Sequence, residues 1–488
     1  MVVAIDPQWA SYYTFLMPRR KEITITWQRS CSWLLVILLV ASGCSSYRSP
    51  IPSVSPPSED EETRIAREFR REAKKHLKFV NNPEVERYID RIGQRIIAVM
   101  GPQPFDYRFF VVDDSQLNAF AVPGGSIYFF TGLIERAKST AEIAGVMAHE
   151  IVHVKGRHMA RSAGPDAVSL LGLLGMLLLA RTGSGAQAAG MVSQAIAATR
   201  QISYSRQLEM EADTLGARYM SSAGYDPKGS LEFLRTLDQE RSLNPIDLPA
   251  YMMSHPITQE RVANMELVIR TLGRNETRAK NADLLKKIQL IIRLERPEMD
   301  KVIEEYRKLA LEDADDAEAV HLLAFAQHFK GELDQAQKNY QKAQKLDPKN
   351  PDVSRDLGRL YTQTRNFESA RAEFDRAIAL EPKEPLNYVY LGEMFEKQGD
   401  FRLAAGAYLN ASQLAPLWDK PPYRLGVVYG ELKRMGDAYY HLGRSLLLQD
   451  EDAKAFAHFE KAIKILGEGT PRGQSIKDEL RILRAQRK

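Results

Sequence analysis

Cysteine is almost absent from this 488-residue chain, and its two cysteines, Cys31 and Cys44, both precede residue 50. A cysteine zinc site and a disulfide framework are therefore excluded for the body of the protein. The net charge of +4 is small for this length and gives no basis for nucleic-acid binding. Because 44% of the residues are hydrophobic and 27% are charged, the composition is that of globular protein, and the length predicts two or three domains.

Long apolar runs are also scarce. The run from Trp33 to Val40 is too short for a membrane span of about 20 residues, and it follows a basic segment that begins near Met17. Small residues lead from it to Cys44, so residues 1–44 have the layout of a secretory signal, with translation starting at Met17. The end of this segment resembles a bacterial lipobox, which implies a periplasmic protein tethered to the membrane through a lipidated Cys44. Ser45 after the cysteine favours the outer membrane, and the alternative is a cleaved signal without lipid.

Residues 45–61 are rich in serine and proline and predict a flexible linker before a domain over residues 62–275. The pattern from Glu62 to about Met100 is helical. Three short strands are expected next, over Tyr107–Val112, Asn118–Val122 and Ser126–Phe130. They predict a small sheet beside a cleft. Its edge, at Asn118, Ala119 and Phe120, is a candidate for holding an extended peptide by strand addition.

The most informative motif is HExxH, formed by His149, Glu150 and His153. On a helix, residues four apart lie on one face, so both imidazoles can reach one zinc ion. Glu150 lies about 100° further round the helix, where a carboxylate can take a proton from a water molecule at the zinc. Ser139 and Glu142 form a capping-box pattern ahead of an apolar run, which places the motif well inside a helix.

A catalytic zinc site usually has a third protein ligand. His158 is nine residues beyond His149, about 900° along a continuous helix, so it is expected on the opposite side. Glu209 and Asp213 share one helix face, which predicts Glu209 as the third ligand and Asp213 as the acceptor of a ligand histidine's second ring N–H. The alternative for these two carboxylates is an acidic helix surface paired with Arg206 and Arg218.

HExxH followed by a helix that carries Glu209-Met210-Glu211-Ala212-Asp213 resembles the gluzincin family of HtpX and the CAAX prenyl proteases. The segment from Asn118 to Leu133 resembles the substrate-edge segment of that family. The resemblance implies one zinc ion per chain, with Glu209 as third ligand. It extends from about Glu61 to Leu272 and is strongest with the soluble periplasmic branch, because clear spanning helices are missing.

In that branch a histidine before proline can take the fourth position of the zinc ion and keep the enzyme latent. The resemblance therefore implies His255 as an inhibitory ligand, and the alternative is a structural loop histidine. Arg261 is expected either to stabilise an oxyanion or to anchor the His255 loop. The apolar stretch from Ala167 to Ala180 is predicted to be a helix that caps the cleft, with contact to lipid as the alternative, and Thr182 to Gly190 has the composition of a hinge.

The C-terminal half repeats every 34 residues, the tetratricopeptide period. The repeated positions are alanines 336, 370, 404 and 438, prolines 348, 382 and 416, and the Leu-Ala or Leu-Gly pairs that start at residues 323, 357, 391 and 425. Leu442-Gly443 restarts the pattern after only half a period, so one helix is expected to serve two repeats. The predicted solenoid covers residues 281–467, with a degenerate first repeat from Pro297 to Asp313 and a basic tail over residues 468–488.

The predicted fold is α+β and mostly α-helical: a zincin-like metallopeptidase domain with a small sheet, followed by an all-α solenoid. The predicted function is zinc-dependent endopeptidase of the bacterial envelope, acting on protein and peptide substrates. The resemblance implies misfolded or stalled outer-membrane proteins as substrates, and the barrel-assembly machinery as a partner of the solenoid. A second hypothesis is a chaperone or adaptor for outer-membrane proteins, with a protease site that is normally latent.

Overall fold

The computed structural model describes residues 56–162, 205–243, 249–272 and 284–486. The predicted signal, the apolar stretch 167–180, the hinge 182–190 and the predicted domain boundary between 275 and 281 lie outside these ranges. In the described part of the chain, no helix is both long and apolar enough to cross a membrane.

The sheet has three strands, β1 (Arg108–Val112), β2 (Ala119–Val122) and β3 (Ser126–Phe130), in the order β1-β3-β2. The central strand β3 is parallel to β1 and antiparallel to β2, with Ala119 opposite Phe129. Every residue of β3 is buried because layers of side chains cover both of its faces. The three strands agree with the sequence prediction to within one residue at each end.

Two helices precede the sheet, α1 (Glu59–His76) and α2 (Pro83–Ile97). Ser58 caps α1 by accepting a hydrogen bond from the amide of Glu61, so the last three residues of the predicted linker are helical. The single helical stretch predicted from Glu62 to Met100 is wrong at residues 77–82, where the chain leaves α1 as extended backbone. Asn82 then caps α2, and a proline at the first position starts the new helix.

Seven further helices complete the described part of the peptidase region: α3 (Thr131–Arg136), α4 (Thr140–Lys155), α5 (His158–Ser162), α6 (Arg206–Ser222), α7 (Lys228–Leu243), α8 (Ala250–Ser254) and α9 (Gln259–Leu272). The side chain of Ser139 caps α4 by accepting from the amide of Glu142. Glu142 accepts from the amide of Lys138 at 3.1 Å, so the cap is reciprocal but shifted by one residue. Thirteen of the sixteen residues of α4 are buried, which makes it the central helix of this region.

Helices α10 to α21 are packed as consecutive antiparallel neighbours: α10 (Leu285–Leu294), α11 (Met299–Glu312), α12 (Ala317–Lys330), α13 (Leu333–Leu346), α14 (Pro351–Gln363), α15 (Phe367–Leu380), α16 (Pro385–Gln398), α17 (Phe401–Leu414), α18 (Lys420–Glu431), α19 (Met435–Leu448), α20 (Asp452–Leu466) and α21 (Pro471–Gln486). The repeated glycines lie where two helices meet. A Cβ atom at Gly392 would come within 2.6 Å of the ring of Tyr408, and Gly358 lies in the same way against Phe374. Glycine and aromatic residues therefore recur with the same 34-residue period, because in each helix pair an aromatic ring packs where glycine leaves room for it.

Helix α19 packs against both α18 and α20, as the half-period restart predicted. Gly443 on α19 lies against the ring of Phe459 on α20, which repeats the glycine-to-aromatic contact of the earlier pairs. The prediction of a basic tail over residues 468–488 is corrected by the structure, in which residues 471–486 form helix α21. Its Ile476 and Leu480 are buried and close the apolar end of the solenoid.

A cluster of buried charges joins the solenoid to the peptidase region. The ammonium group of Lys287 lies 2.6 Å from a carboxylate oxygen of Glu84 on α2 and 2.6 Å from one of Asp356 on α14. Arg359 adds a second cation at 2.6 Å from Glu84. His321 approaches Asp356 at 2.9 Å. Two carboxylates and two cations thus balance one another at this contact.

A second contact joins the far end of the solenoid to the sheet region. Arg70 on α1 makes a bidentate pair with Asp450, with both N···O distances at 2.7 Å, and a 2.8 Å hydrogen bond to Ser126 at the start of β3. Asp450 has a backbone φ of 63° just after the end of α19. Arg70 and Asp450 are both buried, so this pair fixes the turn between α19 and α20 against α1.

Candidate metal centre

Helix α4 presents the HExxH residues at the centre of the peptidase region. His149, Glu150 and His153 are each at most 5% exposed. Helix α6 crosses α4 closely because Gly216 lies against the backbone of Ala148 and His149, where a Cβ atom would be only 3.2 Å from the amide nitrogen of His149. This close approach brings the carboxylate side of α6 over the histidine face of α4.

Four side chains converge there: His149, His153, Glu209 and His255, each offering one ligand atom within 4.8 Å of the others. Nε2 of His149 is 3.0 Å from Nε2 of His153 and 3.2 Å from Nδ1 of His255. An oxygen of Glu209 is 2.9 Å from Nδ1 of His255 and 3.3 Å from Nε2 of His153. Ligand atoms held tetrahedrally at 2.0–2.1 Å from one zinc ion are about 3.3 Å apart, so this arrangement fits such an ion.

The tautomers of the histidines give a second test of that fit. Nδ1 of His149 lies 2.9 Å from the Asp213 carboxylate, which requires a proton on that nitrogen and leaves a lone pair on Nε2. Nδ1 of His153 contacts His158 at 3.0 Å. When His153 donates in that contact, its Nε2 also carries a lone pair. The Nε2 lone pairs of His149 and His153 and the carboxylate of Glu209 then face one point. They repel one another unless a cation lies between them.

Asp213 contacts the side of His149 that faces away from the other ligand atoms. Besides His149, it receives a bidentate pair from Arg261, at 2.7 and 2.9 Å. Arg261 also contacts an oxygen of Glu209 at 2.6 Å and donates to the carbonyl of Pro256 at 2.9 Å. Of the two roles expected for Arg261, these contacts favour anchoring of the His255 loop. The guanidinium group already contacts Asp213, Glu209 and the carbonyl of that loop.

Charges in the cluster are strongly coupled. Burial lowers the pKa of His153 well below its ordinary value, which keeps the ring neutral and able to bind a metal. Burial alone would raise the pKa of Glu209, but His255 and His149 outweigh it and hold the pKa well below its usual range. Burial likewise opposes ionisation of Asp213, and Arg261 lowers the pKa of that carboxyl. Both carboxylates are therefore ionised.

His255 closes the site from the loop after α8. It is 1% exposed, and its ring stacks on that of Tyr251 with a centroid distance of 4.6 Å. Its Nδ1 points to the other ligand atoms, while its Nε2 is 3.4 Å from Oε1 of Glu150. Burial alone would lower the pKa of His255, but Glu209 and Glu150 outweigh it and raise that pKa. With His255 in place, four protein side chains surround the point on which the ligand atoms converge.

Sequence reasoning missed one neighbour of the ligands, Tyr251, and misplaced another, His158. Tyr251 lies four residues before His255 on a short helix, a spacing that could have indicated the stacked pair. The expected position of His158 was wrong because α4 ends at Lys155. Arg157 has a φ of 51°, and the chain folds back so that His158 contacts His153 instead of lying opposite it.

The expected substrate edge, β2, passes close to α4. The amide of Phe130 donates to the carbonyl of Asn118, so Asn118 and Phe120 direct their main-chain groups to β3. Ala119, between them, directs its amide and carbonyl away from β3. Of the three predicted edge residues, only Ala119 thus offers main-chain groups to another strand, and it is fully buried in this structure.

Comparison with known proteins gives matches in both halves of the chain. Residues 83–268 match the model of Peptidase family M48. Two tetratricopeptide repeat models match residues 330–389 and 436–465. The matched peptidase residues include all four members of the ligand cluster.

Curated relatives match part of the chain. The chain is 33% identical to a putative beta-barrel assembly-enhancing protease of Vibrio cholerae serotype O1, over 42% of this chain and 43% of the relative. It is 34% identical to the beta-barrel assembly-enhancing protease of Escherichia coli strain K12, over 38% of this chain and 39% of the relative. A mitochondrial metalloendopeptidase OMA1 of Schizosaccharomyces pombe is 31% identical, over 37% of this chain and 51% of the relative.

The match covers less than half of each beta-barrel assembly-enhancing protease. It confirms the predicted combination of domains and the fold class: a mostly helical peptidase domain with a three-stranded sheet, followed by helical repeats. The chain is thus similar to Peptidase family M48 over residues 83–268 and to tetratricopeptide repeats over residues 330–389 and 436–465.

Proposed function

We propose that this protein is a zinc-dependent endopeptidase of the bacterial cell envelope, with His149, His153 and Glu209 as the zinc ligands. The observation that carries the proposal is the convergence of these three side chains beside the carboxylate of Glu150. The match of residues 83–268 to Peptidase family M48 supports it, as does a 31% identical relative that is named a mitochondrial metalloendopeptidase.

When bound, zinc supplies Lewis-acid polarisation of a peptide carbonyl and lowers the pKa of a water molecule to about 7. Glu150 would accept a proton from the attacking water and return it to the leaving amine. Its burial suits the task, because Glu150 is 1% exposed and a proton acceptor works best away from bulk water. Asp213 keeps His149 in the tautomer whose Nε2 faces the ligand cluster.

The site as described is latent under this proposal. His255 fills the fourth position and lies 3.4 Å from Glu150, where the reacting water has to be. The edge at Ala119 is buried as well, so an extended peptide reaches it only after the covering residues move. Movement of the loop that holds His255 would open the water position beside Glu150.

The substrates we propose are misfolded or stalled outer-membrane proteins. Relatives that are 33–34% identical over 38–42% of this chain bear the name beta-barrel assembly-enhancing protease, and the N-terminal sequence has the layout of a lipoprotein signal. We propose a periplasmic location with an outer-membrane anchor at Cys44, and the barrel-assembly machinery as a partner of the solenoid. The helical repeats support a partner-binding role, because stacked helix pairs offer an extended surface to other proteins.

A chaperone or adaptor role for outer-membrane proteins is the second candidate. It is supported by the full protein ligation that His255 gives the site and by the size of the solenoid. Both candidates use the same fold, and they differ in whether proteolysis is needed.

The deciding experiment replaces Glu150 with Gln and tests purified protein on an unfolded outer-membrane protein. Without the carboxylate, we expect proteolysis to fall by about 10²–10⁴-fold, the usual contribution of a positioned general base. Zinc content should stay that of the wild type, since Glu150 is not a predicted ligand. In cells, a Glu150→Gln variant that restores barrel assembly fully would instead favour the chaperone.

A further inference from the structure

His158 has no assigned role in the proposed chemistry, yet its position is tightly constrained. It is fully buried, and its Nδ1 lies 3.0 Å from Nδ1 of His153. The rings meet edge to face, with an interplanar angle of 89°. Nε2 of His153 faces the ligand cluster, so His158 is the neighbour on the opposite side of that ring.

The turn between α4 and α5 brings His158 to this position. Helix α4 ends at Lys155, Gly156 caps it, and Arg157 takes the left-handed backbone conformation with a φ of 51°. A Cβ atom at Gly156 would come within 2.2 Å of Nε2 of His158, so only glycine leaves room for the ring. The side chain of Arg157 is held by Glu62 through a 2.7 Å hydrogen bond from its Nε. A strained, glycine-dependent turn that is anchored in this way indicates a position fixed for a reason beyond packing.

The two histidines allow one sense of the hydrogen bond. If His153 is to bind metal through Nε2, the proton of its neutral ring is on Nδ1, and Nδ1 must donate. Nδ1 of His158 then accepts, which places the proton of His158 on Nε2. An oxygen of the Glu211 carboxylate lies 3.7 Å from that nitrogen. Glu211, the acidic residue of α6 that faces away from the ligand cluster, thus lies at the outer end of this chain of groups.

We infer that His158 is a positioning residue for the metal centre: it accepts the Nδ1–H of His153 and so fixes the tautomer and ring orientation of that ligand. Asp213 does the same for His149, so the two histidines of the HExxH motif have different partners, a carboxylate and a neutral imidazole. The inference rests on the proposed function only in taking His153 as a ligand. It makes no use of peptidase activity.

The test compares zinc affinity in the full chain, measured by competition with a chromophoric chelator. Replacing His158 with Leu removes the acceptor, and the expected loss is about 10–100-fold, the usual effect of losing a residue that orients a ligand. Asn places an amide oxygen near the position of Nδ1, so the His158→Asn variant should stay within about threefold of the wild type. Gly156→Ala should weaken zinc binding as His158→Leu does, because the new methyl group displaces the ring without removing any donor or acceptor.

Thermal unfolding of the zinc-free forms separates this role from general destabilisation. His441→Leu is the matched control, a half-buried histidine of the solenoid stacked on Tyr429, and its zinc affinity should equal that of the wild type. Unchanged affinity in His158→Leu would overturn the inference. So would an Asn variant as weak as the Leu variant, because ring packing and not the acceptor would then matter. Since zinc affinity is the readout, a protein without peptidase activity would still give a clear answer.

Discussion

Among the described residues, two of the buried clusters of side chains differ clearly in their balance of charge. The cluster at Glu84, Lys287, Asp356 and Arg359 joins the solenoid to α2 and contains two carboxylates and two cations in mutual contact. The ligand cluster contains His149 and His153 on α4, Glu209 on α6 and His255 after α8, with their metal-binding atoms directed at one another. Arg261 supplies a cation at its edge, but that cation is shared with Asp213.

The difference separates a structural cluster from a chemical one. Where each charge has a counter-charge of the chain itself, the group is complete and its role is to hold two parts together. Where lone pairs converge, the group is completed by a cation from outside. Burial accompanies both clusters, so burial alone does not identify a functional site.

We call the cluster of Glu84, Lys287, Asp356 and Arg359 the balanced cluster. A substitution that removes one of its charges should have the largest effect on stability. Lys287→Met leaves Glu84 and Asp356 with one cation between them, and removal of one partner of a buried pair costs about 3–5 kcal/mol. We expect the midpoint of thermal unfolding to fall by about 3–5 °C. The adjacent Lys286 is the matched control, because its side chain is 63% exposed and pairs with Glu318 at the surface.

Lys286→Met should therefore change the midpoint by no more than about 2 °C. Equal midpoints for the two variants would show that the cluster does not hold the solenoid in place. Zinc content should be unchanged in both, since neither lysine lies in the ligand cluster.

Opening the ligand cluster should have an intermediate effect, on activity and not on fold. His255→Ala vacates the fourth position and the space next to Glu150. We expect kcat/KM on a quenched peptide to rise by about tenfold, which corresponds to removing a closed state favoured by about 1.4 kcal/mol. A second substitution, Glu150→Gln, should abolish the increase. An unchanged or lower rate in the single variant would remove the latency proposal.

The smallest effect is expected at Glu86, a carboxylate at the same interface that makes no ion pair within the described residues. Burial, helped by Asp419, raises the pKa of Glu86 to about 7. An acid whose folded-state pKa is raised stabilises the fold below its unfolded-state pKa, and this contribution is lost as pH rises towards 7. Because Glu86 is half-buried and screened by solvent, we expect the midpoint of unfolding to fall by only about 1–2 °C between pH 5 and pH 8. Glu86→Gln should remove that slope, and an identical slope in the variant would refute the assignment.

The ligand cluster was largely predictable from the sequence, whereas the balanced cluster was not. Helical spacing placed His149 with His153 and Glu209 with Asp213, because both pairs are four apart on single helices. Glu84 and Asp356 are 272 positions apart in sequence and meet only through tertiary packing, which leaves no local pattern. His158 was misplaced for a related reason, since the turn at Gly156 and Arg157 breaks the helix on which the argument relied.

In the solenoid, too, the contacts set by local spacing were predictable, and those set by tertiary packing were not. Its period fixed the repeated glycine and aromatic contacts, which are local to each helix pair. The last helix, α21, carries no repeat signature, so the sequence predicts a tail there. In the structure Ile476 and Leu480 form the buried face of this helix. The docking of Asp450 on Arg70 depends on the accumulated curvature of the whole array, which no single repeat encodes.

Zinc stoichiometry is the most direct test of the central claim, that the four converging side chains form a metal site. The full chain is purified without chelator, and zinc per chain is measured for the wild type and for the double variant His149→Ala/His153→Ala. The account predicts one zinc ion per wild-type chain and none in the double variant, with the solenoid still folded by circular dichroism. A wild type without zinc, or a double variant that retains it, would contradict the assignment.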